Sequence, residues 1–219
     1  MKEKRQKNKK GSALVLAVII MMVVMMLSLA LLLVSFSMSA TAVKQQNLEQ
    51  CKELAQSLSN ELEAEITITF DSYAEQKKAL EEDQYQLWFY LRYNICQSSW
   101  LSYDPDNGHT EDAYRYFNVN VGTADTNVAD DISVIMYWEG DREAVQEADQ
   151  TSLIVRVTCK KGKQKSVITS TYELEAKEAY TDPPSDGQDP GIGKLQVNPN
   201  GIGLRDLGIK WIWNQSSIE

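Results

Sequence analysis

The chain has 219 residues and a net charge of −9, enough length for one domain plus a membrane segment. The charge is unevenly placed: Lys2, Lys4, Arg5, Lys7, Lys9 and Lys10 against Glu3 give the first ten residues +5, while the rest holds 16 basic and 30 acidic side chains, or −14. Such an acidic body repels nucleic acid and anionic lipid, so no nucleic-acid binding is expected.

Ala13 to Val34 is a run of 22 residues with no charge, no proline and one hydroxyl, Ser28. As a helix it is about 33 Å long, enough for a bilayer core of about 30 Å. A soluble domain of this size has no use for a helix that is apolar all round. The basic leader places the N-terminus on the cytoplasmic side and the rest of the chain outside, a single-pass arrangement in the cell membrane.

Three readings of this start are open. In the first it is a secretory signal cut after Ala40-Thr41-Ala42, although signal cores run about 7 to 15 residues and this one is longer. In the second it is a plain signal anchor, which leaves the glycine that joins the basic and apolar runs without a role. In the third, the Lys10-Gly11-Ser12-Ala13-Leu14 junction is a processing site, and here the sequence resembles type IV prepilins. The resemblance rests on Lys9, Lys10 and Gly11, the new N-terminus at Ser12, and the apolar span to Val34. It implies cleavage after Gly11 by a prepilin peptidase, methylation of Ser12, and retention of the helix first as a membrane anchor and then as the packed core of a filament. Its implied partners are the prepilin peptidase, other pilin-like subunits and membrane lipid. The glutamate usual at the fifth mature position is replaced by Leu16, and the proline common later in the segment is missing. Minor pilins and the tip pseudopilins of secretion systems are therefore the better match. An anchor with no buried carboxylate costs less in lipid, but it cannot neutralise a neighbour's terminal amine in a repeating stack.

The helical pattern continues beyond the membrane. Leu48, Cys51, Ala55, Leu58, Leu62 and Ile66 form one apolar stripe. No glycine or proline interrupts residues 12 to 70, so one helix of about 55 residues is expected. The β-branched run Ile66-Thr67-Ile68-Thr69-Phe70 marks its break. A second helix is expected from Asp71 or Ser72 to Ser98, with a Ser72–Glu75 capping box. Tyr73, Leu80, Leu87, Leu91 and Ile95 lie on one face of it with Trp88 alongside, and Glu81, Glu82 and Asp83 are solvated.

Asp104 to Gly108 reads as a turn. Its Asp104-x-Asp106 start resembles a calcium loop, but the twelfth position is Arg115 rather than glutamate. Beyond it the period becomes two: Phe117, Val119, Val121; Ile132, Val134, Met136, Trp138; Leu153, Val155, Val157, Cys159; then a turn at "KKGKQK" and a return strand over 166–175. The apolar face of this sheet needs the two amphipathic helices as cover. Cys159 points to that face and Cys96 ends the second helix, so a Cys96–Cys159 disulfide is expected; Cys51 is left over. Residues 181–203 hold four of the five prolines and five of the eleven glycines and read as a linker. Trp211 and Trp213 in the tail either pack on the head or anchor a contact with another subunit. Asn214-Gln215-Ser216 fits a glycosylation sequon.

The expected fold is α+β. A long N-terminal helix, half membrane-spanning and half amphipathic, and a second helix pack on a three- or four-stranded antiparallel sheet. The segments are a leader at 1–11, a membrane helix at 12–36, its amphipathic continuation at 37–70, a head at 71–180, and a linker and tail at 181–219. No catalytic constellation is legible: the lone His109 lies in a turn, and there is no G-x-S-x-G, phosphate loop or metal-ligand cluster. The chain is expected to be a structural subunit without enzymatic activity, cofactor or metal. The alternative is an anchored protein whose exported head binds a partner.

Overall fold

The computed structural model describes residues 3–96, 100–103, 113–119, 129–140, 151–176, 178–182 and 208–219, without the side chains of residues 3–14 and Cys96. Asp104 to Asp112, with His109, lies outside these residues, as do 141–150 and 183–207. The chain divides into two compact units, Met1–Asn47 and Leu48–Glu219.

The first helix, α1, runs Glu3–Ile66. The absence of Gly after position 11 and of Pro throughout leaves nothing to interrupt its hydrogen-bond ladder. It ends in the β-branched run, where Thr67 N–H donates to Glu63 O at 2.8 Å and the Thr67 hydroxyl donates to the same carbonyl at 2.8 Å.

In the second unit, Cys51, Ala55 and Ile66 are fully buried, with Leu54, Leu58 and Leu62 packed beside them. The expected stripe is thus the packing face. Ser59 joins it, its hydroxyl 3.3 Å from that of Ser170.

Where one second helix was expected, there are two: α2, Tyr73–Glu81, and α3, Gln86–Cys96. The cause is a Schellman ending. Gln84 N–H donates to Ala79 O at 2.9 Å and Asp83 N–H to Leu80 O at 3.2 Å, with Asp83 left-handed at φ 54°. That pairing pattern closes a helix, and aspartate is among the few non-glycine residues that enter the left-handed region readily. Tyr85 follows at φ 52°, a costly conformation for a bulky residue, and its ring sits 6.0 Å from that of Phe70. Ser72 caps α2 by accepting from Glu75 N at 3.1 Å. The Glu75 carboxylate reaches back to Asp71 N, at 3.1 Å, instead of to Ser72.

The sheet is antiparallel in sequential order, with β1 Arg115–Asn118, β2 Asp131–Glu139, β3 Ser152–Lys161, β4 Gln164–Glu175 and β5 Ile212–Ile218. It has five strands rather than three or four, because the tail supplies β5. Its strand period is hard to read: Trp213 is buried, but Asn214 to Glu219 are all exposed. An irregularity at Thr171/Tyr172 skips Ser216 in the pairing. The β3–β4 hairpin turns where expected, at Gly162, whose φ of 59° suits a tight two-residue hairpin. Ile132, Val134, Met136 and Trp138 alternate with half-buried neighbours along β2. Together with Leu153, Val155, Val157, Tyr172, Leu174 and Trp213 they form the inward face of the core.

Candidate functional site

The first unit carries the membrane-compatible surface. Nineteen large apolar side chains between Val15 and Met38 are exposed. Removing them from water is worth on the order of 30 kcal/mol, far more than a surface in water sustains. Two of the hydroxyls along this helix are satisfied within it: Ser28 donates to Val24 O at 2.8 Å and Thr41 to Ser37 O at 2.9 Å. This is what a segment with no water to bond to requires. Val15–Ile66 contains one stretch long and apolar enough to cross a membrane. Gly11 and Ser12 lie in helical backbone, and Leu16, at the fifth position after Gly11, is 60% exposed.

In the second unit, α2 and α3 hold a buried cation. Arg92 is fully buried. Its guanidinium lies 5.4 Å from the ring centres of both Trp88 and Trp211. It donates to Gln76 Oε1 at 3.4 Å and to Ile209 O at 3.1 Å. Two aromatic faces and two acceptors offset part of the cost of burying the charge. Burial pushes the Tyr180 hydroxyl above its usual range, and the neighbouring Arg92 charge and hydrogen bond partly oppose this. Asp182 accepts from Tyr73 N at 2.7 Å and Ala74 N at 3.0 Å, so a carboxylate from a distant segment sits at the N-terminus of α2, where it is electrostatically favoured. The 178–182 and 208–211 segments meet through the Ala179–Ile209 bridge. Arg92 and Asp182 thereby pin the tail that supplies β5, and neither was singled out from the sequence.

Trp211 and Trp213, whose place the sequence left open, are both buried with rings 6.0 Å apart. They pack in the head core. Asn214 of the sequon is exposed and its amide reaches Glu175 Oε2 at 3.3 Å.

Two surface features remain. A groove of about 840 Å³ runs between the polar flank of α1, with Lys52, Gln56 and Asn60, and the β4–β5 surface, with Val167, Ile168 and Ile218. At the β1 edge, Tyr103, Tyr114 and Tyr137 cluster with ring centres 4.9 to 5.7 Å apart, and Tyr116 lies 6.0 Å from Tyr114. Desolvation, and then hydrogen bonding with Tyr103, raises the Tyr114 hydroxyl pKa; for Tyr137 desolvation is again the main cause.

Cys51 and Cys159 are buried free thiols, near enough to each other that Cys51, after burial itself, helps raise the Cys159 thiol. Cys51, left over in the sequence reading, is therefore the sulfur neighbour of Cys159. Cys96 ends α3, and its side chain lies outside the described residues. Among the described residues, no group of three or more His, Cys, Asp or Glu side chains is placed to hold a metal ion. No family model, curated protein or solved structure matches this chain.

Proposed function

We propose that the chain is a minor pilin-like or pseudopilin-like structural subunit, held in the membrane by α1 and assembled into, or capping, a type IV pilus, competence pilus or secretion filament. The observation that carries this reading is the junction at Gly11. A +5 leader ends there, and an uncharged helical segment with an exposed apolar surface follows directly. Two further features support it. The helix α1 continues past the apolar segment to Ile66, and its stripe from Cys51 to Ile66 belongs to the core of an α+β head. Leu16 in place of an acidic residue favours a tip or rare position over the bulk of a filament. On this reading the protein has no enzymatic activity; its partners are the processing peptidase, other pilin-like subunits and lipid. The head lies outside the cytoplasm.

Intact-mass and N-terminal analysis of protein from wild-type and peptidase-null cells tests this. The expected result is a mature chain starting at Ser12, with or without a methyl group, only where the peptidase is present. Gly11→Leu is expected to block that step while membrane insertion persists. Retention of Met1 or Lys2 in both strains defeats the filament reading and leaves the signal-anchored one, in which the head binds a partner. The groove beside Lys52 and Ile218 favours that second reading. A chain starting at Val43 defeats both.

A further inference from the structure

We propose that Cys51 and Cys159 close into a disulfide that staples the head-packed part of α1 to β3. Cys51 lies on the apolar stripe of α1 and Cys159 on the inward face of β3; both are at 0% exposure and both are free thiols. Independent contacts fix the alignment on either side of them. Lys161 Nζ donates to Gln50 Oε1 at 2.6 Å, one residue before Cys51. Just over two turns further along α1, the Ser59 and Ser170 hydroxyls are 3.3 Å apart. The sulfurs are thus held in apposition by the register of helix on sheet, and not by the swing of a free side chain. No third ligand that would turn the pair into a metal site accompanies them among the described residues.

The environment also says when the bond forms. The thiolate is the attacking species in disulfide exchange, and burial, with the neighbouring Cys51 adding to it, pushes the Cys159 thiol up to about 12. With both cysteines fully buried, an external disulfide cannot reach the pair once the head is closed. Closure therefore belongs to the folding chain, in which an external disulfide can reach both sulfurs.

The oxidant is an external disulfide, either a small-molecule one or that of an exchange protein. One cysteine thiolate attacks it, forming a mixed disulfide and expelling one thiolate. The second cysteine attacks the first one's sulfur and expels the other thiolate. Two electrons pass to the external disulfide, and the two protons lost by Cys51 and Cys159 end on the two released thiols. The bond requires a compartment holding such an oxidant and does not require a filament, so it stands or falls apart from the filament reading.

The test uses the full chain in detergent micelles. It is unfolded with reductant, refolded with glutathione and glutathione disulfide, alkylated, and mapped as peptides without reduction. A Cys51–Cys159 crosslinked peptide and an alkylated Cys96 are expected. Reduction is expected to lower the thermal midpoint by roughly 10 °C, a drop that Cys51→Ala lacks. Should the alanine variant fail to fold, Cys96→Ser serves instead, and the 51–159 crosslink must persist in it. Alkylation of both Cys51 and Cys159 after oxidative refolding, or a bond from Cys96 to either, overturns the proposal.

Discussion

Replacing Arg92 is the most informative single perturbation of the head. In Arg92→Ala the chain loses a charged donor to Ile209 O and the cation between Trp88 and Trp211. A hydrogen bond from a charged group contributes about 1.5–3 kcal/mol, and a desolvated cation–π contact about 2 kcal/mol. The truncation also leaves a cavity, for which losses of about 2–5 kcal/mol are usual. These quantities overlap and are not additive. They are opposed by relief of the cost of burying a charge. A net loss of about 3–4 kcal/mol is expected, corresponding to a fall of roughly 6–16 °C in thermal midpoint for a unit of this size. Arg92→Met fills most of the space without the charge and is expected to cost less than half as much. The assay is thermal unfolding of the full chain in micelles, paired with limited proteolysis. Because Ile209 and Trp211 are partners of Arg92, the alanine variant is expected to be cut first between residues 183 and 211. A loss under about 1 kcal/mol, or a methionine variant as unstable as the alanine one, refutes the view that the guanidinium pins the tail.

Asp182→Ala removes the acceptor for Tyr73 N and Ala74 N and is expected to cost about 1–2 kcal/mol in urea unfolding. Asp182→Asn is expected to recover part of this, and an effect indistinguishable from zero would remove the capping role. The reduced head is expected to weaken in alkali. Burial raises the Cys159 thiol from 9.0 to about 12 in the folded state, so its contribution is full below about pH 9 and is lost as pH climbs toward 12. Urea midpoints measured in reductant at several pH values are expected to fall more steeply for the wild type than for Cys159→Ala. Parallel slopes for the two proteins would contradict this.

Patterns that repeat were legible in the sequence. The uncharged run from Ala13 to Val34 announced a membrane-compatible helix by length and composition alone. The stripe from Cys51 to Ile66 and the alternation along β2 and β3 announced their buried faces, because periodicity is a local property that burial selects. Features set by a single backbone conformation were not legible. The split of α2 from α3 turns on Asp83 adopting φ 54°, and nothing in the surrounding helical pattern signals it. The fifth strand was hidden for a related reason. From Asn214 to the end β5 is exposed, so it carries no alternating pattern and owes its place to pairing with β4. The sequence could list Arg92, Asp182, Cys51 and Cys159 but could not pair them with their partners. Those lie 108 to 117 positions away in three of the contacts, Cys51–Cys159, Asp182–Ala74 and Arg92–Ile209. Local composition thus determined the membrane-compatible run of α1, its packing stripe and the buried faces of β2 and β3. Only the tertiary structure decided which sulfur faces which, which rings and carbonyl receive the buried guanidinium, and that the tail is a strand, because each depends on contacts between residues distant in the chain.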